Sequence, residues 1–310
     1  MDEPVLLTGA GGRVGQAILR GIGDEYEWRL LDREPLPAAK VPDRIPDADR
    51  YVADITDPNA VREAMDGVGA VIHLAGDPRK TAPWDSVLRN NIDGAQVVMR
   101  AAVDAGVEKF AFASSNHAVG GYETEDRTPD LYRPDDGYRL DGTELPRPGN
   151  LYGVSKATGE ALGRFYHDEH DMSVVCVRIG NLTKDHPPRE YERGQAMWLS
   201  HRDCAHLFDR CLQAEYGYEI VYGISNNDRR YYSIERAREA LGYEPTDNSA
   251  DYTFEGKPKA ETGEENDDST ADDDSTADDD PTTDDGKTGL DDPPAEPNFP
   301  TGPDTPTDGV

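Results

Sequence analysis

Val5-Leu6-Leu7-Thr8-Gly9-Ala10-Gly11-Gly12-Arg13-Val14-Gly15 is the stretch that decides the fold. Val5–Thr8 reads as a buried strand, Gly9, Gly12 and Gly15 follow at a spacing of three, and Val14–Gly21 reads as the next helix. Glycine permits a tight turn there and lets backbone approach a pyrophosphate, whose charge a helix N-terminus stabilises. An ordinary structural turn is the competing reading. The strand before the glycines and the helix after them weigh against it.

Outward from this segment, short apolar runs alternate with helical patterns, as in a doubly wound parallel sheet. Trp28–Leu31, Tyr51–Ala53 and Ala70–Leu74 are expected as the second, third and fourth strands. Val87–Ala105 reads as a helix with Val97, Val98, Ala101 and Ala102 inward. Phe110–Ala113 reads as a fifth strand ending in Ser114-Ser115-Asn116-His117, Tyr152–His170 as a long helix, and Ser173–Ile179 as a sixth strand. After the polar, proline-containing Asn181–Arg202 come a helix at Cys204–Ala214, a strand at Glu219–Tyr222 and a short helix at Ile234–Leu241. These last pieces are too few for a second domain and are expected to cap the carboxyl ends of the strands, where open α/β sheets bind ligands. The expected fold class is α/β, a Rossmann-type doubly wound parallel sheet with a small C-terminal capping region, mainly residues 181–250.

The chain carries 63 Asp and Glu against 32 Lys and Arg, a formal net charge of -31. Residues 251–310 hold 20 of those acids and 3 of the bases, and an imperfect Asp-Asp-Asp-Ser-Thr-Ala repeat runs through them. Such a segment buries too little apolar surface to offset its ordering entropy, so it is expected to be a disordered acidic tail beside a folded domain at 1–250. The folded part is acidic as well, and only eight of the 32 basic residues of the whole chain are lysine. Such a surface repels itself in dilute buffer and is tolerable where salt screens it, which points to the cytoplasm of a cell with molar internal salt. It disfavours nucleic acid and anionic membranes as partners. The chain enters its first strand at Pro4-Val5, so no signal peptide is expected, and no apolar run approaches transmembrane length. Cys176, Cys204 and Cys211 lack metal-ligand spacing, so no metal site is expected; Cys176 lies in an apolar strand and reads as buried.

Asp32 ends the second strand, where a carboxylate accepts hydrogen bonds from both adenosine ribose hydroxyls and repels a 2′-phosphate, favouring NAD over NADP. Arg13 and Arg33 argue the other way. Asp54, after the third strand, reads either as a partner of the adenine amino group or as the cap of a helix at Pro58–Met65. Val14, Ile55, Leu74, Ala75, Gly76, Ser114 and Ile179, at the strand ends or in the glycine turn, complete the candidate cofactor set with Gly9, Gly12, Arg13, Gly15, Asp32 and Asp54. Tyr152 and Lys156 share a helix face at i, i+4, an arrangement in which the ammonium and the positive charge of an oxidised nicotinamide are both expected to lower the phenol pKa towards neutrality. Both side chains would also meet the cofactor. Ser115 is expected to hydrogen-bond the reacting oxygen, with Ser114 and Ala113 lining the nicotinamide side. His117 can reach a substrate, whereas His73 reads as a core histidine with a partner. His167 and His170 read as solvated, and Trp84, Trp198, Tyr231 and Tyr232 as packing.

At these motifs the chain resembles the extended short-chain dehydrogenase/reductases, over residues 1–250. Ser114-Ser115-Asn116-His117-Ala118-Val119-Gly120, Leu151-Tyr152-Gly153-Val154-Ser155-Lys156 and Val177-Arg178-Ile179-Gly180 resemble the uronate dehydrogenase group. Gly76-Asp77-Pro78, Tyr132-Arg133-Pro134 and Tyr191-Glu192-Arg193-Gly194-Gln195-Ala196-Met197-Trp198 are similar to the branch of that group with which halophilic archaea oxidise glucose 6-phosphate. The resemblance implies NAD as cofactor, C1 oxidation of a sugar phosphate, catalytic roles for Ser115, Tyr152 and Lys156, and substrate roles for Asn116, His117 and Arg193. It also implies a homo-oligomer, since this superfamily commonly dimerises through the helices read here as Val87–Ala105 and Tyr152–His170. Asn181, another candidate substrate contact, departs from the serine of uronate dehydrogenases. The stretch Thr124–Asn150 is longer than theirs and adds Arg127, Arg133, Arg139 and Arg147, which with Lys184 and Arg189 could help to hold a phosphate. Hexuronate oxidation, a nucleotide-sugar epimerase and a non-catalytic NAD-binding regulator stay open as alternatives.

Overall fold

The computed structural model describes residues 3–123, 139–183, 187 and 192–252, Glu192 by its backbone alone. The acidic tail beyond Tyr252, and Arg127, Arg133, Lys184 and Arg189, lie outside these residues.

Seven strands form one parallel sheet in the order β3-β2-β1-β4-β5-β6-β7. They are β1 (Val5–Thr8), β2 (Trp28–Asp32), β3 (Arg50–Val52), β4 (Ala70–His73), β5 (Lys109–Ser115), β6 (Ser173–Ile179) and β7 (Tyr218–Gly223). β1 lies between β2 and β4, so the winding reverses there and opens a crevice at the strand carboxyl ends. Every residue of β1 and β4 is buried, as expected of strands covered on both faces.

Two apolar layers flank the sheet. One face packs Leu7, Leu30, Val175 and Val177 against α1 (Arg13–Ile22), α7 (His201–Gln213) and α8 (Glu235–Leu241). The opposite face packs Leu6, Val71, Phe110 and Phe112 against α2 (Pro58–Met65), α4 (Gly94–Ala105) and α5 (Leu151–His170). α4 continues a short helix, α3 (Trp84–Ser86), through a π-helical stretch at Val87–Asp93. Glycines bring α5 down onto the sheet: a β-carbon at Gly159 would stand 2.1 Å from Phe112 Cζ. A further short helix, α6 (Glu192–Ala196), precedes a small cluster in which Met197, Tyr222, Tyr231 and Tyr232 are buried together. Among the described residues, no helix is long and apolar enough to cross a membrane.

Four details differ from the sequence reading. β5 extends two residues past Ala113, because Ser114 and Ser115 continue the ladder opposite Arg178 and Ile179 of β6. Asp54 is not the cap of α2; Asp57 is, accepting from the N–H groups of Asn59 and Ala60. Of the aromatic residues expected to pack, Trp84 is exposed, whereas Trp198, Tyr231 and Tyr232 are buried. His167, expected in solvent, bonds the Met172 carbonyl at 3.0 Å across the end of α5. His73 is the core histidine expected, its Nδ1 lying 2.8 Å from Thr8 Oγ1. The cysteines are free and fully buried, Cys176 of β6 in the layer beneath α5 and Cys204 and Cys211 on the inward side of α7 in the opposite layer.

Candidate active site

The glycine turn is built to bring backbone, not side chains, to the crevice. A β-carbon at Gly15 would stand 2.7 Å from Ala10 O, and one at Gly9, where φ is +70°, 2.8 Å from Ala75 N. Gly12 is the N-cap of α1 and has no side chain with which to cap the first-turn N–H groups. They suit a pyrophosphate. Asp32 accepts the Gly11 N–H on Oδ2 at 2.8 Å, which fixes the carboxylate beside the turn. Leu74 and Ala75 donate to Thr8 Oγ1 at 3.2 and 3.3 Å, and Gly76 follows with φ +155°. These contacts hold the β4 end against the turn.

Several residues expected to meet a dinucleotide have other engagements. The Arg13 guanidinium donates to Leu182 O at 2.9 Å and joins α1 to the segment after β6, while Arg33 is exposed. Asp54 accepts from the Thr56 N–H and hydroxyl at 2.9 and 2.8 Å and pairs with Arg89 at 3.0 Å. The Thr56 backbone bond chiefly, with its hydroxyl and Arg89, holds the Asp54 pKa below the usual carboxylate value. Val14 packs against the first core layer and Ile55 is buried in the second. Ile179 ends β6 beside Ser115, and Asn181 follows with its N–H on Met197 O at 2.8 Å.

Three neighbours on β5 divide their work. Ala113 O accepts from Lys156 Nζ at 2.8 Å. Ser114, expected on the nicotinamide side, instead turns into the protein and donates to Glu160 Oε1 at 2.6 Å. Ser115 Oγ accepts the His117 N–H at 3.2 Å and faces the Tyr152 phenol, which it stabilises as phenolate. Tyr152 and Lys156 lie one turn apart in the first half of α5, whose N-cap Asn150 accepts the Gly153 N–H and reaches His117 Nδ1 at 3.2 Å. The His117 and Tyr152 rings meet edge to face with centroids 5.8 Å apart.

In the protein by itself the phenol stands above its ordinary value. Burial pushes Tyr152 up to about 12; Ser115 pulls it down and the charge of Asp77 pushes it further up. Lys156 Nζ sits 5.4 Å from the Tyr152 ring centroid, and burial pushes the ammonium down to about 8 against the pull of Glu160. In the protein alone, desolvation outweighs the pull of Ser115 and the phenol keeps its proton. His117 is neutral, its pKa lowered to about 3 by burial and then by Arg193 and Lys80.

The candidate anion site is already charge-compensated. Arg193 of α6 ion-pairs with Glu123, which in turn takes the Tyr232 hydroxyl. With its amide turned to suit its neighbours, Asn116 accepts from Arg193 Nη2 at 2.9 Å and donates to Ile179 O and Ser115 Oγ at 3.2 and 3.3 Å. Asn116, Ser115, His117, Tyr152 and Arg193 thus form one connected wall. Arg139 and Arg147 are half-buried, and the Arg147 guanidinium lies over the Tyr122 ring at 5.0 Å.

Four important residues were not read from the sequence: Glu160, Arg178, Glu123 and Asn91. Arg178 within apolar Ser173–Ile179 was the available sign of a buried ion pair. Asn91, inside the π-helical stretch, accepts from Asp77 N at 2.6 Å and donates to Asp77 O and Ser155 Oγ, both at 3.0 Å. No periodicity marks it.

The sequence matches the NAD dependent epimerase/dehydratase family over residues 5–226. It is 75% identical over 258 residues to the NAD-dependent glucose-6-phosphate dehydrogenase of Haloferax volcanii, covering 83% of this chain and 98% of that one. It is 34% identical over 269 residues to the uronate dehydrogenase of Pseudomonas putida, covering 85% and 91%. Among solved structures, the uronate dehydrogenase of Agrobacterium tumefaciens aligns with a TM-score of 0.69 at 31% identity, over 83% of this chain and 92% of that one. A variant of that enzyme complexed with NAD aligns with a TM-score of 0.68 at 30% identity, over 80% and 86%.

Proposed function

Because the chain belongs to the NAD dependent epimerase/dehydratase family, we propose that its Ser115, Tyr152 and Lys156 oxidise C1 of glucose 6-phosphate to the 6-phospho-lactone, with NAD as cofactor. The observation that carries the reading is this three-residue cluster at the carboxyl end of β5, in a chain 75% identical to an enzyme of that activity along nearly its whole length. The glycine cradle, the uncapped α1 terminus and the Asp32 carboxylate fit the phosphates and adenosine ribose of NAD. When bound, oxidised NAD supplies the hydride acceptor and a positive charge. Tyr152, as phenolate, takes the proton of the C1 hydroxyl. Ser115 donates to the same oxygen and sets its direction. Lys156, held by Ala113 O, contributes a positive charge that favours the phenolate. Neutral His117 and Asn116 bond sugar hydroxyls, and Arg193 holds the substrate's anion together with cationic or backbone donors of the neighbouring segments.

We further assign catalysis to residues 1–250, with 251–310 as an acidic appendage, and place the enzyme as a homo-oligomer in a salt-rich cytoplasm. Hexuronate oxidation is the second reading, favoured by the uronate dehydrogenase neighbours. It uses the same groups on C1 and differs only in the remote anion. A turnover screen in molar salt, with glucose 6-phosphate, glucuronate and galacturonate under NAD and NADP, decides between them. The first pairing with NAD is expected to give the highest kcat/KM. Efficient glucuronate oxidation without glucose 6-phosphate turnover would reverse the order.

A further inference from the structure

A fully buried ion pair stands directly behind the catalytic groups, and the proposed chemistry makes no use of it. Arg178 of β6 has no exposed surface, and its Nε and Nη2 each lie 2.9 Å from a different oxygen of Glu160. Ser114 adds a third donor to that carboxylate at 2.6 Å. Arg178 Nη1 also reaches the Tyr222 hydroxyl at 3.2 Å and Glu144 Oε2 at 3.4 Å, and the Tyr222 hydroxyl donates to Glu144 at 3.1 Å. Glu144 caps its own turn by accepting from the Gly142 N–H at 3.0 Å. The network therefore joins β5, β6, β7, α5 and the chain entering α5.

Stability does not account for such a pair, because apolar side chains of like volume commonly serve as well. Its position is more specific. Glu160 is one turn beyond Lys156 on α5, and its donor Ser114 adjoins Ser115. One carboxylate thus fixes the strand end that orients the reacting oxygen relative to the helix that carries base and ammonium. We propose that Glu160 is a positioning residue: with Arg178 and Ser114 it locks the Ser115 strand end to the Tyr152–Lys156 helix, and its negative charge keeps the Lys156 ammonium charged. This inference rests on the dehydrogenase reading above.

The groups around Lys156 can be named on each side. Glu160 and Tyr152 face it from α5 and His73 from β4, and Arg178 of β6 stands behind Glu160. His73 is neutral, its pKa lowered to about 3 by burial, so Glu160 supplies the opposing charge. Removing that charge makes Lys156 lose its proton at lower pH. The rate, which needs the ammonium, then fails earlier on the alkaline side.

The test uses the full chain in molar salt, with wild-type turnover of glucose 6-phosphate as control for the functional reading. Glu160→Gln keeps the size but removes the charge. Glu160→Gln with Arg178→Met removes both charges and so strands no bare guanidinium. In whichever variant folds, kcat is expected to fall 10- to 100-fold while the Kd for NAD changes less than threefold. The alkaline limb of kcat/KM is expected at lower pH than in the wild type. A purely structural role lowers the rate equally at every pH and leaves the limb in place. A folded variant with kcat within twofold, or with an unmoved limb, overturns the proposal. A wild type that ignores the sugar phosphate yet binds NAD refutes the functional reading instead.

Discussion

Tyr152 is where the chemistry and the electrostatics meet. In the protein alone its phenol sits near 12, so the proposed role as base at neutral pH calls for a positive charge delivered to the site. Replacing it by phenylalanine keeps the ring against His117 and removes only the proton acceptor. The expected loss is roughly 10²–10⁴ in kcat, the usual worth of a positioned acid–base group, with little change in NAD affinity by titration. Near-normal turnover by folded Tyr152→Phe would assign the base elsewhere. The Tyr-Lys spacing was legible because a helix repeats every 3.6 residues. The hydroxyl of Ser114 was not, because a strand's alternation tells which face a residue takes but not which charged partner waits beneath. Arg193 shows the same limit: the sequence marked it as a cation for the substrate, and folding placed Glu123 beside it.

At the scale of elements, α5 is both the helix that carries Tyr152 and Lys156 and the layer that covers β5 and β6. Gly159 lets it sit close, since a β-carbon there would overlap the Phe112 ring. Gly159→Ala gains roughly 1 kcal/mol of helix propensity but overpacks the interface, at a cost of about 1–3 kcal/mol. The expected net result is a lower Tm together with a lower kcat, because Tyr152 and Lys156 move with the helix while Ser115 stays with the strand. A variant that melts higher and turns over normally would show that the sheet yields at no cost. Most strands and helices were legible from alternating apolar runs. The π-helical stretch was not, since its wider turn arises where Asn91 bonds both the Asp77 backbone and Ser155 rather than from any local pattern.

For the whole molecule, the buried His73 and the half-buried His117 shape the response to acid. His73 and His117 stay neutral in the fold down to about 3, whereas unfolded histidine takes its proton near 6.5. The unfolded state therefore binds more protons between those values, and stability is lost as pH falls through that window by up to about 1.4 kcal/mol per pH unit for each histidine. Lys156 acts in the same direction at the other end: folded it sheds its proton near 8 and unfolded near 10.5, so stability rises with pH between them. Chemical denaturation at fixed molar salt, at pH 7 and pH 5, measures the histidine contribution, and equal stabilities would contradict it. Deleting everything after Tyr252, whose ring meets Trp198 with centroids 5.4 Å apart, is expected to leave turnover and Tm in molar salt unchanged. A marked loss of either would assign the acidic segment a working role in the catalytic domain.

The three thiols lie on opposite sides of one sheet, Cys176 beneath α5 and Cys204 and Cys211 on the inward side of α7. Burial raises the pKa of each, so none is reactive while its layer is closed. The molecule thus carries two clocks that start only when a particular face opens. The tempo of alkylation at Cys176 times the lifting of α5, and that at Cys204 and Cys211 times the lifting of the layer beside the glycine turn. If bound nucleotide slows the second clock more than the first, the two faces of the sheet breathe separately.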